Sequence, residues 1–187
     1  MHFWIDIDNP NDVPLIKALT TELRERGHAV TITAQNSKKI KKVLEENNLN
    51  AKIIGIVFSI FGVFKHFSEM LRTAFVLDYI KQRTLNAAFS TGSKPMLYAC
   101  IDQVIPIITL IKDKKYKPNK YSFALSKSFF IMPDTFHDQE LIELGFDINK
   151  IKKYKALNEL NPDLTTVKDL TNKIEYFSKH IPGGTIA

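Results

Sequence analysis

Short strand-like segments alternate with helix-like segments along this chain, and the alternation constrains the fold more strongly than any other feature of the sequence. The first segment alternates apolar and polar residues and ends in Asp-Asn-Pro, which is typical of a strand that runs into a loop. Similar short apolar segments recur between helical patterns. The predicted strands are His2–Asp8, His28–Thr33, Ala51–Ile56, Asn86–Thr91, Val104–Leu110 and Ser128–Met132.

Helix signals fill the intervals between these strands. In the first interval, leucines at four-residue spacing share one face, Asp12 or Asn11 can cap the helix, and Gly27 ends it. Ser37 can cap a second, basic helix that continues to about Glu46. Further helices are predicted at Ser59–Arg83, Pro95–Asp102, Tyr121–Ser126, His137–Leu144 and Thr165–Lys179.

Repeated strand–helix units with short connections indicate parallel strand pairing, because each crossover helix returns the chain to the same end of the sheet. The sequence therefore predicts an α/β fold: a single domain with a Rossmann-like parallel sheet and helices on both faces. A length of 187 residues suits one such domain. Pro106 has no amide hydrogen to donate, so we expect the strand at Val104–Leu110 to avoid an interior position in the sheet.

The sequence favours a cytoplasmic location. A single cysteine, Cys100, excludes an internal disulfide and fits a reducing compartment. The first residues lack the basic stretch and long apolar run of a secretory signal. The longest apolar segment, from Ile53 to Phe64, is well short of the roughly 20 residues that a membrane-spanning helix needs.

Polar residues are concentrated where the first predicted strand ends. Ligands of parallel α/β sheets bind beyond the carboxyl ends of the strands, and the chain there reads Asp6-Ile7-Asp8-Asn9-Pro10-Asn11-Asp12. Carboxylates at such a place could act as a base, orient sugar hydroxyls or bind a metal. Capping and turn formation by Asp and Asn would explain the same pattern. The loop contains no glycine, so it is not a phosphate-binding loop.

A second candidate site is the turn Thr91-Gly92-Ser93-Lys94, which joins a predicted strand to a predicted helix. Backbone N–H groups at the start of that helix could hold an anion, with the Lys94 ammonium nearby. A plain tight turn explains the residues equally well.

Other kinds of site have little support. The histidines show no metal-ligand spacing and there is no Cys-x-x-Cys, so we predict no metal. There is no Gly-x-Ser-x-Gly elbow, so Ser-His-Asp catalysis has no support. We also predict no cofactor. The formal net charge is +6, but the basic clusters are scarcely interleaved with aromatic residues, so we expect no nucleic-acid partner.

The segment Ile53–Ile80 could form a membrane-surface patch, because it combines aromatic with basic residues. The aromatic residues are Phe58, Phe61, Phe64, Phe67 and Phe75, and the basic ones are Lys65, His66 and Arg72. An interfacial helix has this composition, and the lysines between positions 112 and 120 could add contacts to anionic lipid. The alternative is a core helix whose phenylalanines pack against the sheet. Both interpretations fit the sequence.

Two stretches near the start, Met1–Pro10 and Leu23–Ala34, resemble a family of mostly archaeal proteins, the domain of unknown function 354 family. Looser matches, such as Thr91-Gly92-Ser93 and Ile131-Met132-Pro133, extend the resemblance to roughly residue 165. That family is similar to B-fold glycosyltransferases and UDP-N-acetylglucosamine 2-epimerases, whose active site lies between two Rossmann-like domains. The resemblance implies an N-terminal glycosyltransferase-B-like domain at 1–165, followed by a C-terminal helix and tail at 166–187.

The chain departs from the family pattern in loops that would line the cleft. Asn9-Pro10-Asn11-Asp12 stands where Asn-Pro-Pro-His is usual. Ile56-Val57-Phe58-Ser59 replaces a His-Gly-Gly element, and Lys112-Asp113-Lys114-Lys115-Tyr116 replaces an Asp-Asp-Tyr-Glu-His loop. These loops have therefore lost their histidines.

The resemblance implies the acceptor-side half of a sugar-nucleotide enzyme, glycosyltransferase-like or epimerase-like, that is incomplete or catalytically decayed and inactive alone. Asp12, as base or hydroxyl ligand in place of the lost histidine, and Asp8 are the predicted catalytic residues. The predicted ligand-binding residues are Asp6, Asn9, Gly92, Ser93 and Asp113. Because 187 residues leave no room for a C-terminal nucleotide-sugar domain, we expect that domain to be separately encoded. The alternative is a non-catalytic binding or regulatory module that docks a protein partner or an anionic membrane.

Overall fold

The fold is described from a computed structural model that covers residues 1–56, 63–112, 128–155 and 162–180, without the side chains of residues 63–66. Within these ranges the predicted α/β architecture is confirmed. The predicted helix Tyr121–Ser126 and the start of the predicted helix Ser59–Arg83 lie outside the described residues.

In the part of the chain that the structure describes, one sheet of seven strands forms the centre, and each pair of neighbouring strands is parallel. The strand order is β3-β2-β1-β4-β5-β6-β7. Six strands lie where the sequence predicts them, and the structure adds β7. The strands are β1 (His2–Ile7), β2 (Ala29–Gln35), β3 (Lys52–Ile54), β4 (Ala87–Ser90), β5 (Ile107–Leu110), β6 (Ser128–Pro133) and β7 (Ile151–Tyr154).

Helices return the chain between the strands and cover both faces of the sheet. They are α1 (Val13–Glu25), α2 (Lys38–Glu46), α3 (Val63–Lys81), α4 (Lys94–Gln103), α5 (Asp138–Glu143) and α6 (Leu164–Lys179). The predicted cap of α2 is confirmed, since the Ser37 side chain accepts a hydrogen bond from the Ile40 amide. Gly27 follows α1 with φ +81°, a conformation that favours glycine.

The core divides into layers on the two faces of the sheet. Helices α1, α2 and α6 pack on one face, in a cluster that includes Phe3, Ile5 and Ile7 of β1. Helices α3 and α4 pack on the other face, in a cluster that includes Trp4. Successive side chains of a strand point to opposite faces. The residue after Ile5, Asp6, therefore points toward the face that α3 covers.

The expectation for the strand at Val104–Leu110 is wrong, because β5 lies in the interior of the sheet, between β4 and β6. The strand begins at Ile107, after Pro106, so the missing amide hydrogen falls outside its ladder. The Pro106 carbonyl still accepts a hydrogen bond from the Ala88 amide at 2.8 Å. Proline is tolerated here because only its acceptor is used.

Helix α6 packs against the same core as the first strand. Its buried side chains, Val167, Leu170, Ile174 and Phe177, belong to the cluster that contains Phe3 and Leu23. At its outer edge, Glu175 accepts from His28 Nε2 at 2.8 Å. The helix begins at Leu164. The division into a domain at 1–165 and a tail at 166–187 stays a prediction.

Candidate functional site

The strand order reverses between β1 and β4, which makes the ends of these two strands the topological switch point of the sheet. The loops 8–12 and 91–93 follow these strands and meet there. Six of the seven predicted site residues lie at or beside this point. The seventh, Asp113, lies outside the described residues.

Asp6 is fully buried, and protein donors occupy both oxygens of its carboxylate. Arg72 Nη2 donates to both Asp6 oxygens at 2.8 Å. Thr33, the neighbour of Asp6 in the β1–β2 register, donates to Oδ1 at 2.6 Å, and Ser93 Oγ donates to Oδ2. Asp6 therefore joins β1, β2, α3 and the start of α4.

Arg72 reaches Asp6 from the third turn of α3 and is itself only 4% exposed. Its aliphatic stem passes over Gly55, where an added Cβ would lie 3.2 Å from the Arg72 Cγ. Gly55 also has φ +113°, which side-chain-bearing residues rarely adopt. A glycine at this position therefore both relieves the backbone and leaves room for the arginine.

Asp12 is also buried, and its contacts cross the switch point. Thr91 Oγ1, from the loop after β4, donates to Asp12 Oδ2 at 2.5 Å. Lys112 Nζ, from the chain after β5, forms an ion pair with Oδ1. Asp12 occupies the cap position of α1, but its side chain makes no capping hydrogen bond. The predicted capping role is therefore wrong, because Thr91 and Lys112 take both oxygens.

Asn9 is the residue of this loop that does cap. Its side chain accepts from the Asn11 amide at 3.1 Å and begins the short 3-10 turn Pro10–Asp12. Asn9 is exposed in the loop that follows β1. Its predicted contact with a ligand stays a prediction.

Asp8 directly follows β1 and is half-buried, whereas Asp6 and Asp12 are buried. Among the residues that the structure describes, no side chain donates a hydrogen bond to its carboxyl group. Burial, followed by the negative charge of Asp6, raises the pKa of Asp8 to about 6; Arg72 opposes this and Asp12 adds to it. A carboxyl group with this pKa can exchange a proton near neutral pH.

The turn after β4 is stabilised from within. The Ser90 hydroxyl accepts hydrogen bonds from the amides of Gly92 and Ser93, at 3.0 and 3.1 Å. These amides were candidates for holding an anion, and the structure instead supports the tight-turn interpretation. Ser93 Oγ also accepts from the Met96 amide and so caps α4.

Two basic residues assigned to a membrane patch are engaged elsewhere. Arg72 is buried against Asp6, and Lys112 is paired with Asp12. The apolar part of the patch is only partly core. Val76 and Ile80 of α3 are buried, whereas Phe67, Met70 and Phe75 are 50%, 69% and 45% exposed. Phe58 and Phe61 lie outside the described residues, and the Phe64 side chain is not described.

Sequence reasoning missed the partners of the aspartates. Arg72 does have a recognisable signal, since it lies four and eight residues before Val76 and Ile80 on the buried face of a helix. An arginine in such a stripe needs a buried acceptor. Thr33 gives no such signal, because its bonds to Asp6 and to Trp4 Nε1 depend on the pairing of β1 with β2.

The described residues contain no group of three or more His, Cys, Asp or Glu side chains arranged to hold a metal ion. The prediction of no metal stays a prediction. Over the same residues, no helix combines the length and the apolar character needed to cross a membrane.

A family model described as a protein of unknown function (DUF354) matches residues 1–176. The chain belongs to this family. The match confirms the resemblance carried by the first 34 residues and extends it through most of α6. A search of curated proteins found no match to this DUF354 chain.

Solved structures with a similar fold include an epimerase and a protein solved with UDP. A UDP-GlcNAc 2-epimerase from Neisseria meningitidis, solved bound to UDP-GlcNAc, aligns with a TM-score of 0.67 at 14% identity, over 96% of this chain and 52% of that one. MurG from Acinetobacter baumannii aligns with a TM-score of 0.61 at 15% identity, over 84% and 46%. MnaA from S. aureus, solved with UDP, aligns with a TM-score of 0.59 at 12% identity, over 80% and 43%.

This DUF354 chain thus spans about half the length of the structures that it matches. At these identities the likeness establishes the fold, a glycosyltransferase-like Rossmann domain, and confirms the predicted fold class.

Proposed function

We propose that this chain is the acceptor-side half of a sugar-nucleotide enzyme, with its ligand crevice at the switch point between β1 and β4. The observation that carries the proposal is the burial and the raised pKa of the Asp8 carboxyl group. It is a half-buried carboxyl group with a pKa raised to about 6, and it lies between two carboxylates that are already paired with cations. Such a group is suited to accept a proton from a sugar hydroxyl.

Asp8, rather than Asp12, takes the role of base or hydroxyl ligand in this proposal. Both oxygens of Asp12 are occupied, by Thr91 and Lys112, so a substrate hydroxyl would have to displace one of them. Asp8 has no such competition from the described side chains. Asp12 then serves to hold the loops after β1, β4 and β5 together around the crevice. Asn9, exposed beside Asp8, is the second proposed contact for the sugar.

A complete enzyme of this type would need a second half that binds the nucleotide sugar. The chain covers about half of the matched epimerase and MurG structures, and that half contains one Rossmann-like sheet. We propose that this half works together with a domain that binds the nucleotide sugar and that it is inactive alone. Reaction at the switch point would occur when the two halves close over it.

The test is a protein-observed NMR titration with N-acetylglucosamine, used as a hydroxyl-rich probe. We expect weak, saturable shifts in the amides of loops 8–12 and 91–93. Asp8→Asn should weaken them, because a neutral amide oxygen accepts a hydrogen bond from a hydroxyl less strongly than a carboxylate does. Asn11→Ala is the matched control, since Asn11 is exposed on the same loop, and it should retain them. Shifts confined to other surfaces, or unchanged binding in Asp8→Asn, would contradict the proposal.

A second candidate function is docking to an anionic membrane, favoured by the exposed face of α3. Phe67, Met70 and Phe75 project from this helix, and the whole chain carries a formal net charge of +6. Burial of such side chains in a lipid interface contributes roughly 25 cal/mol for each Å² removed from water. Arg72 and Lys112 contribute no free charge, because they are paired with aspartates.

Co-sedimentation with phosphatidylglycerol vesicles tests this candidate. We expect binding that falls with salt and that Met70→Asp weakens. Leu164→Asp is the control, since Leu164 is equally exposed but lies on α6, across the sheet from α3. Binding that is absent at low salt, or that both variants weaken equally, would exclude α3 as the docking surface.

A further inference from the structure

We propose that a groove between β3 and the C-terminal half of α3 binds a neutral sugar, at a site separate from the crevice at the switch point. The groove has a volume of about 340 Å³, and small-molecule sites have volumes of roughly 300–1,000 Å³. β3 is the edge strand of the described sheet, and β2 lies between it and β1. This second site goes beyond the proposed function and does not depend on Asp8.

One wall of the groove is a face of α3 that lies beside the buried stripe of that helix. Arg72, Val76 and Ile80 recur every four residues and are buried. The residues that line the groove recur at three- and four-residue spacing, so they share a neighbouring face of the helix. They are Phe75, Asp78, Tyr79 and Gln82. This face therefore carries two aromatic rings, a carboxylate and an amide.

The other wall is β3, which lines the groove with residues 52–55. Arg72 of α3 lies against Gly55, the residue that follows this strand. From that contact α3 runs back toward the start of β4, so its later turns pass along the length of β3. The groove therefore follows the edge strand and leads away from the carboxyl ends of the strands, where the crevice lies.

The aromatic rings suit the apolar face of a sugar ring. Phe75 is 45% exposed, although the next residue, Val76, is fully buried. Arg83 holds Tyr79 in place, because its guanidinium lies 3.6 Å from the centre of the Tyr79 ring and donates to the Tyr79 carbonyl. A pyranose presents C–H bonds on one flat face, and these pack on an aromatic ring through dispersion and the negative charge of the π face.

The polar groups of the groove suit hydroxyls and balance in charge. The Asp78 carboxylate accepts hydrogen bonds, and the Gln82 amide both donates and accepts them. Across the described part of the chain, neither side chain forms a hydrogen bond or an ion pair, and the same is true of Lys52. The charges of Lys52 and Asp78 cancel. A cation would be repelled by the first and an anion by the second, so a neutral, hydroxyl-rich ligand fits the groove best.

NMR titration of the full chain with N-acetylglucosamine and D-glucose tests this site. We expect saturable amide shifts in β3 and in the C-terminal half of α3. Phe75→Ala should raise the Kd about three- to tenfold, because it removes one ring from the sugar. Asp78→Asn should also raise it, since an amide oxygen accepts less strongly than a carboxylate. Phe67→Ala is the matched control, at a similarly exposed phenylalanine of α3 outside the groove, and should leave the Kd unchanged.

Choline chloride serves as a cationic probe for the same rings, and the amide spectrum of each variant checks its folding. The groove is not a sugar site if choline saturates it and neither sugar does, or if no shifts there saturate. Equal weakening by Phe67→Ala and Phe75→Ala would also overturn it. Shifts along the groove without shifts in loops 8–12 and 91–93 would contradict the proposed function and leave this second site standing. Shifts in those loops alone would do the reverse.

Discussion

Asp8 is the residue on which the functional interpretation depends, and its protonation has a direct consequence for stability. Its pKa is raised from 3.8 to about 6 in the folded chain, so the folded state binds the Asp8 proton more tightly than the unfolded state. The stability that this proton provides is complete below about pH 4 and is lost as the pH rises through 6.

Asp8→Asn should therefore gain stability relative to the original chain as the pH rises. Two pKa units correspond to a change of at most about 3 kcal/mol in the free energy of unfolding. Urea unfolding of both proteins at about pH 4 and about pH 8 checks this, since other carboxyl groups titrate in both and cancel. A difference between the two proteins that stays constant with pH would mean that Asp8 is not the perturbed group.

Gly55 provides a second test at the scale of single residues, because it combines a strained backbone with a crowded neighbour. Gly92 has a similar φ, +126° against +113°, but no atom within 4 Å of an added Cβ. Both glycine-to-alanine substitutions should cost about 1–3 kcal/mol in backbone strain. Gly55→Ala should cost more, because its Cβ would press on the Arg72 stem. Equal losses of melting temperature would show that the arginine adjusts freely.

The roles of the three aspartates could not be read from the sequence, for a physical reason. Their spacing predicts a polar strand end, and the structure places them there. Their partners, however, lie 66, 79 and 100 residues away in the chain, at Arg72, Thr91 and Lys112. Only the assembled sheet decides which carboxylate is paired, so the sequence could assign Asp8 and Asp12 to catalysis and Asp6 to ligand binding but could not show that Asp6 and Asp12 are the paired ones.

At the scale of whole elements, α6 contributes side chains to the core cluster that contains β1. Leu170 is 0% exposed and belongs to the same cluster as the first strand, whereas Leu164, at the start of the same helix, is 63% exposed. Leu170→Ala should cost about 2–5 kcal/mol through lost burial and the cavity left behind.

Leu164→Ala is the matched control, with the same substitution in the same helix, and should change stability by less than about 0.5 kcal/mol. Thermal unfolding of both variants compares them. If Leu170→Ala is as mild as Leu164→Ala, α6 is only loosely attached and the predicted boundary near residue 165 gains support.

Elements were easier to predict than their positions in the sheet. Caps and stops such as Ser37 and Gly27 act locally, so the ends of α1 and α2 followed from neighbouring residues. The position of β5 in the sheet did not follow from neighbouring residues. Pro106 lies just before the first paired residue, Ile107, and the sequence could not place the start of the strand that finely. The exposed face of α3 was also ambiguous, since phenylalanine suits both core and surface contacts.

At the scale of the whole molecule, strand–helix alternation was sufficient to predict a parallel Rossmann-like sheet. A helix between two strands returns the chain to the end of the sheet where the first strand began, so the two strands run parallel. The strand order, and with it the switch point between β1 and β4, could be determined only from the structure. The fold places a titratable carboxyl group at that point and surrounds it with paired charges. In the proposed function, this arrangement suits the uncharged hydroxyls of an acceptor better than a diphosphate.

Calorimetric titration of the isolated chain with UDP-N-acetylglucosamine tests the central claim, that this is the acceptor-side half. The amides of Gly92 and Ser93 donate to the Ser90 hydroxyl, and Arg72 and Lys112 are paired with aspartates, so these amides and cations already have protein partners in place of a diphosphate. The account predicts no saturable heat in the micromolar range from a protein shown to be folded by its melting curve. Stoichiometric binding with low-micromolar affinity would contradict it.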